Sequence, residues 1–480
     1  MKVHLVAICG TGMGALAGLL KEAGHDVKGS DRAFYSPMAE RLQAWGIPTQ
    51  QGFDPVHLDP DTDLVIVGNV CRKDNPEAQA ALQMSLKVMS FPQALAEFFI
   101  GDKTSVVVAG THGKTTTAAL LSYVLVEAGL DPSFLVGGIP QNFGKSFHLG
   151  QGRLFVVEGD EYDTAFFDKR PKFVHYRPKI VVLTAVEFDH ADIYHDMEAY
   201  RAAFATLLSL LPPDGLLIAC ADDPEVTALA RTAPCRVVSY GLGPGAAWGA
   251  DGIETGENAT RFSLVRNGFR VAVVTLPLAG RHNVANTLGV LAAAEAVGVD
   301  VRKAAASLGG FEGIARRMQV RGVVDGVTVI DDFAHHPTKV RETVRAARAR
   351  YPGSHLVAVF EPRTATSRRK VFQEAYPASF ALADEVVLVP PFDAEKIPEA
   401  ERFDSAALVA ALVRRGQTAV LRGNADAVVA DLSGRLRQGS VVLIMSNGAF
   451  DNIHEKLLCA LRARHGSRPS AQESNWRKSR

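Results

Sequence analysis

The sequence predicts an α/β protein of three domains built on mostly parallel sheets. Short apolar runs that read as strands alternate with helical segments along nearly the whole chain, which is the signature of a parallel sheet wrapped by helices. Several of these runs lead directly into glycine-rich or acidic turns, where open α/β sheets place their ligands. The length of 480 residues suggests about three domains at roughly 150 residues each.

The first domain is expected over residues 1–100. It opens with an apolar strand at 3–8, then Gly10-Thr11-Gly12-Met13-Gly14, then a helix through Gly24. A second strand at 25–29 ends at Ser30-Asp31, and a third apolar strand follows at 64–67. This is a Rossmann-type start with an acidic residue where a ribose would be held. The glycine turn by itself is compatible with NAD, with the diphosphate of a nucleotide sugar, or with no ligand.

The central domain is expected over 101–318. The apolar strand 105–109 runs into Gly110-Thr111-His112-Gly113-Lys114-Thr115-Thr116-Thr117, and a helix follows through 118–125. Strand, glycine loop, Lys-Thr and helix is the arrangement that binds a nucleoside triphosphate. Backbone N–H groups and the helix N-terminus face the phosphates, the lysine adds positive charge, and the first threonine hydroxyl can hold Mg²⁺. The strict G-x-x-x-x-G-K-[ST] pattern is not met, because its first glycine would fall at Val108. A glycine-rich turn with an ordinary surface lysine leaves the three consecutive threonines unexplained.

Further strands are expected at 154–157, 180–183 and 215–219, with a small β excursion over 236–278 and a helix from about residue 284 to 296. Glu158 ends the first of these strands, within Glu158-Gly159-Asp160-Glu161-Tyr162-Asp163. A carboxylate there can take Mg²⁺ beside a triphosphate; a solvated acidic loop is the bland alternative. The strand 180–183 leads to Thr184-Ala185-Val186-Glu187-Phe188-Asp189-His190. His190 reads as a metal ligand, a general acid/base, or a hydrogen-bonded structural histidine. Asn283, after Arg281-His282, reads either as a contact to an adenine edge or as a helix cap. Arg316-Arg317 read as a phosphate clamp or as two solvated charges.

The last domain is expected over 319–461, with strands at 327–330, 356–360, 385–389 and 441–445. Asp331-Asp332-Phe333-Ala334-His335-His336-Pro337-Thr338 follows the first of them and is dense in ionisable groups. Glu361-Pro362-Arg363 follows the second, and Arg363 is a candidate for a carboxylate or phosphate contact. Residues 462–480 are polar, basic and expected to be a disordered tail.

Bulk composition narrows the function classes. Hydrophobic residues make up 47% and charged residues 22%, ordinary for a soluble globular protein. The formal net charge is zero, so no basic field asks for nucleic acid. The five cysteines include no C-x-x-C pair, which argues against structural zinc or a disulfide framework and fits a reducing compartment. The first residues read as a strand and lack signal-peptide features, and no apolar stretch reaches membrane-span length. A cytoplasmic protein is expected.

Taken in order, Gly110–Thr117, Glu158, the E-x-D-H at 187–190, Gly280-Arg281-His282-Asn283, Arg317 and Asp332-x-x-His335-His336-Pro337 resemble the Mur ligase family across roughly residues 1–460. The resemblance implies an N-terminal Rossmann-like domain binding a UDP-sugar, a central P-loop ATPase-like domain and a C-terminal Rossmann-like ligase domain. It implies an ATP- and Mg²⁺-dependent, ADP-forming amide ligase. Gly10, Thr11, Gly12, Met13, Ser30 and Asp31 would bind the UDP part. Gly110, Thr111, His112, Gly113, Lys114, Thr115, Thr116, Asn283, Arg317, Asp332 and His335 would bind the nucleotide. Thr115, Glu158 and His190 would hold metal, with Lys114, Glu158 and His190 catalytic.

The opening domain and the D-D-x-x-H-H-P form resemble members acting on UDP-N-acetylmuramate itself. The segments 161–170, 172–176, 187–192 and 445–448 resemble the branch adding L-alanyl-γ-D-glutamyl-meso-diaminopimelate in cell-wall peptidoglycan recycling. The alternative is the branch adding L-alanine. Arg363 would then lie on the acceptor side. Phe204 stands where other members carry a carbamylated lysine, so no carbamate is expected here. The implied partners are the sugar nucleotide and a murein peptide, with no nucleic acid or membrane, in a monomer or homodimer. An NAD-dependent oxidoreductase leaves Gly110–Thr117 unexplained, and a non-catalytic nucleotide switch would not need a carboxylate and an amine for turnover.

Overall fold

The structure, a computed structural model, describes residues 1–35 and 38–465. The chain divides into two compact units between Ala315 and Arg316. Residues 316–318 fall in the second of these units. The helix Ile453–His465 takes in the first residues of the expected tail, and the rest of that tail lies outside the described residues. Among the described residues no helix is long and apolar enough to cross a membrane.

The first unit contains two large sheets. Strands β1 (Lys2–Val6), β2 (Asp26–Asp31), β3 (Thr49–Gln51), β4 (Leu64–Val67) and β5 (Lys87–Ser90) form a parallel sheet in the order β3-β2-β1-β4-β5. The order reverses beside β1, so the turn after β1 opens at the switch point where such sheets bind ligands. β4 is buried on all four residues, as expected of a strand covered by helices on both faces.

The second sheet begins with β6 (Thr104–Ala109), β7 (Ser133–Leu135), β8 (Phe147–His148) and β9 (Leu154–Gly159). A small antiparallel hairpin, β10 (Asp163–Ala165) and β11 (Asp168–Pro171), stands apart from it. The sheet continues with β12 (Ile180–Leu183), β13 (Leu216–Cys220), β14 (Arg236–Tyr240), β15 (Trp248–Thr255), β16 (Thr260–Arg266) and β17 (Phe269–Leu276). Its order is β17-β16-β15-β14-β13-β12-β6-β9-β7-β8. The strands from β14 to β7 are parallel, while β15–β17 form an antiparallel meander. The β excursion anticipated at 236–278 is thus a direct extension of the central sheet.

The two sheets of this unit are joined by a wedge. The Phe147 ring, nearly fully buried, packs edge-on against Trp45 with centroids 5.0 Å apart. It sits against Gly18 on the helix Thr11–Glu22, where an added Cβ would lie 2.0 Å from the ring's Cζ. Arg41 donates to the Gly144 carbonyl at 3.1 Å, and Lys145 pairs with Glu22. Gly18→Ala should therefore destabilise the protein by about 1–3 kcal/mol, the usual cost of overpacking a filled core. Thermal denaturation checks this, and an unchanged midpoint would show that the ring can move aside.

The C-terminal unit holds β18 (Gln319–Val324), β19 (Val327–Asp332), β20 (His355–Phe360), β21 (Glu385–Leu388), β22 (Thr418–Leu421) and β23 (Ser440–Met445). They form one sheet in the order β18-β19-β23-β20-β21-β22, parallel except for the antiparallel β18–β19 pair. Asp331-Asp332, Glu361 and Ser446 all fall at the carboxyl ends of its three central strands.

Candidate active site

The phosphate loop connects β6 to the helix Lys114–Glu127. Two glycines make its path possible. Gly110 has φ +130°, and a Cβ there would lie 2.7 Å from the Ala185 carbonyl oxygen. Gly113 is left-handed at φ +80° and abuts Asn286. Only glycine enters such conformations without strain. Asn286 was not singled out from sequence; it lies three residues after Asn283 on the same helix, and that spacing is the signal for a shared face.

Several loop side chains turn inward. Thr111 donates its N–H to Ala185 O at 2.8 Å and its hydroxyl to Glu187 O at 2.8 Å, with the Tyr200 phenol 3.0 Å away. These hydrogen bonds brace the loop against the turn after β12. His112 pairs through Nε2 with Glu187 at 2.7 Å. Asn283 does not cap its helix, because Gly280 is the capping residue and the Asn283 amide donates to Ala279 O at 2.7 Å. Thr116 is half-buried on the first turn of the phosphate-loop helix.

Thr115 and Glu158 meet. The Thr115 hydroxyl donates to Glu158 Oε2 at 3.1 Å, and the Gly137 N–H donates to Oε1. Glu158 lies within β9, directly beside β6, which brings its carboxylate to the mouth of the phosphate loop. A hydroxyl and a carboxylate at one strand end are hard oxygen donors of the kind magnesium takes with phosphate oxygens. The residues present therefore fit the ion.

Lys114 and His190 converge on Glu161. Lys114 Nζ lies 2.7 Å from one Glu161 oxygen and 3.0 Å from the other, and His190 Nε2 lies 3.0 Å from Oε1. Asp160 pairs with Lys172 at 2.6 Å. The acidic turn is thus an ordered ionic cluster rather than a solvated loop. Burial opposes the charges of Lys114, Asp160, Glu161 and His190. Neighbouring carboxylates, Glu161 foremost, together outweigh burial and raise the pKa of Lys114 and of His190, and Lys114 and His190 together hold Glu161 well below the usual carboxylate range. Phe204 is buried against Tyr200 and Phe173.

In the N-terminal sheet the Asp31 carboxylate accepts the Cys9 N–H at 2.8 Å and the Arg32 N–H at 2.7 Å, fixing the turn after β1. Gly10 precedes the helix whose first residues are Thr11, Gly12 and Met13, and the first N–H groups of a helix have no partner within it. Thr11 is exposed. The Met13 side chain is buried in the core. Ser30 is fully buried and its hydroxyl donates to Glu77, a buried carboxylate that also faces His4 and His57.

In the C-terminal unit Asp332 accepts the Met318 N–H at 2.7 Å and the Ala334 N–H at 2.8 Å. Its burial raises its pKa, and its two hydrogen bonds tie the start of the domain to the turn after β19. The His335 Nδ1–H donates to Phe333 O at 3.0 Å. Arg317 stacks on the Phe333 ring, 4.8 Å from its centroid. Arg316 donates to the carbonyls of Ser446 and Gly448, each at 2.7 Å. Arg363 stacks on Phe392 at 3.6 Å and pairs with Glu361 at 3.4 Å. Glu361 in turn accepts the Ser446 hydroxyl at 2.6 Å.

Family profiles match three consecutive stretches. The Mur ligase family catalytic domain covers residues 2–102, the Mur ligase middle domain covers 108–294, and the Mur ligase glutamate ligase domain covers 316–448. The chain is 40% identical, over 96% of its length and 98% of the relative's, to the UDP-N-acetylmuramate–L-alanyl-γ-D-glutamyl-meso-2,6-diaminoheptandioate ligase of Escherichia coli K12. It superposes on a murein peptide ligase from Psychrobacter arcticus with a TM-score of 0.73 at 33% identity, covering 96% of this chain and 98% of that one. The UDP-N-acetylmuramate-alanine ligase of Thermotoga maritima superposes with a TM-score of 0.79 at 25% identity, covering 97% of this chain and 100% of that one. A phosphate loop braced by its own threonine, a carboxylate at its mouth and these three matches in chain order have one common explanation: the chain belongs to the Mur ligase family.

Proposed function

We propose that this enzyme joins UDP-N-acetylmuramate to the tripeptide L-alanyl-γ-D-glutamyl-meso-diaminopimelate, with ATP converted to ADP and phosphate. The Thr115–Glu158 pair at the mouth of the phosphate loop supports the ATP half of this reading. The observation that carries the acceptor is the 40% identity over 96% of the chain to the E. coli relative named for that tripeptide. Such a reaction belongs in the cytoplasm, in the reuse of cell-wall peptides.

A carboxylate resists nucleophilic attack because it is already negative. One of its oxygens attacks the γ-phosphorus of ATP, the bond to ADP breaks, and an acyl phosphate results. The peptide amine then adds to the acyl carbon, loses a proton, and phosphate leaves with the electron pair. Lys114 stabilises charge on the transferring phosphoryl group. Thr115 and Glu158 would hold Mg²⁺, with His190 at a second metal; the ion, when bound, neutralises charge on phosphate oxygens. The backbone of Gly10–Met13 and the Asp31 turn hold the UDP part. Exclusion of water protects the acyl phosphate. With heavy-oxygen label in the muramate carboxylate, each turnover should carry one labelled atom into the released phosphate. Unlabelled phosphate would refute the acyl-phosphate route.

Arg363 is proposed to meet an acceptor carboxylate. Its guanidinium is pre-ordered by Phe392 and Glu361, so a second carboxylate binds without ordering a flexible arm. Arg363→Ala should raise KM for tripeptide far more than KM for ATP. Steady-state kinetics with each substrate varied checks this; equal rises in both would place Arg363 elsewhere.

A further inference from the structure

Glu161 lies in the acidic turn, yet its side chain is 0% exposed. Its oxygens are shared among three partners. Lys114 Nζ approaches Oε2 at 2.7 Å, while Oε1 receives the Tyr200 phenol and His190 Nε2, each at 3.0 Å. The main chain is pinned too, because the Tyr194 phenol donates to the Glu161 carbonyl at 2.6 Å. Tyr194 and Tyr200 lock edge to face with centroids 5.0 Å apart. The carboxylate is the anchored member of the cluster, and the two cations are aligned on it.

We propose that Glu161 is a positioning residue for phosphoryl transfer, which sets the spacing between the Lys114 ammonium and the His190 imidazole and competes with nucleotide phosphate for Lys114. The inference rests on the ligase reading only in taking Lys114 as the phosphate contact. A lysine stem is flexible, and a fixed carboxylate restricts where its ammonium can go before the substrate arrives. A carboxylate on one imidazole nitrogen fixes the ring's orientation, the usual arrangement behind a metal-binding histidine. The same negative charge opposes an incoming anion. Precise placement of the two cations therefore costs some nucleotide affinity. A purely structural ion cluster would not produce that trade.

The test uses the full chain, with Glu161→Gln and Glu161→Asp compared with wild type. Calorimetric binding of ADP without magnesium is measured beside kcat and KM. Glu161→Gln removes the charge but keeps the shape. It should bind ADP several-fold more tightly, while kcat falls on the order of 10- to 100-fold through misplacement of Lys114 and His190. Glu161→Asp keeps the charge but withdraws it by one methylene. It should bind ADP within about twofold of wild type and still lose turnover. KM for UDP-N-acetylmuramate should not move in either variant. Weaker ADP binding with a lowered unfolding midpoint in both variants would overturn the proposal, leaving Glu161 a structural residue. Unchanged turnover in both would overturn it as well. Failure of the wild type itself to bind ADP would instead refute Lys114 as the phosphate contact.

Discussion

Lys114→Ala should fold normally and lose turnover on the order of 10²–10³-fold, the typical result of deleting one preorganised electrostatic contact to a transition state. Lys114 stands on the first turn of the phosphate-loop helix, at the mouth of the switch point between β6 and β9. Its pKa is raised above the ordinary lysine value, because Glu161 and Asp160 outweigh the burial that opposes its charge. It is therefore charged at any physiological pH. Truncation leaves Glu161 facing His190 without its principal counter-charge, so a modest loss of thermal stability should accompany the loss of turnover. Near-normal turnover in a folded variant would refute the assignment.

Glu158→Gln should raise the magnesium concentration needed for half-maximal rate by at least about tenfold, since an amide oxygen replaces an anionic ligand of a hard cation. The substitution preserves shape. The amide oxygen it introduces can still accept from the Thr115 hydroxyl, as the Glu158 carboxylate now does at 3.1 Å. A magnesium titration of turnover checks this directly. If the titration is unchanged, Glu158 serves the Gly137 turn rather than the ion.

The parallel strands were legible because they are buried on both faces and read as unbroken apolar runs. Residues 64–67 and 180–183 coincide with β4 and β12. Short strands with little apolar character, such as β3 and β8, carry no such signal. Glycine, lysine and threonine in the phosphate loop were readable because the chemistry of that turn admits few substitutes. Direction was the hidden variable. Ser30, Thr111 and Asp332 are polar residues at strand ends, where ligand contacts are expected. In the structure each hydrogen-bonds to the protein's own groups, and composition does not reveal those partners. Glu161 is the converse. Four acids in six residues look like a solvated run, and only the tertiary meeting with Lys114, His190 and Tyr200 makes one of them a buried hub.

The acceptor is the central claim, and ADP release measures it most directly. The purified enzyme is given ATP, Mg²⁺ and UDP-N-acetylmuramate, with either L-alanyl-γ-D-glutamyl-meso-diaminopimelate or free L-alanine. Fast ADP release with the tripeptide, and little above background with L-alanine, is the predicted result. Equal or faster release with L-alanine would contradict it and move the enzyme to the alanine-adding branch of the family.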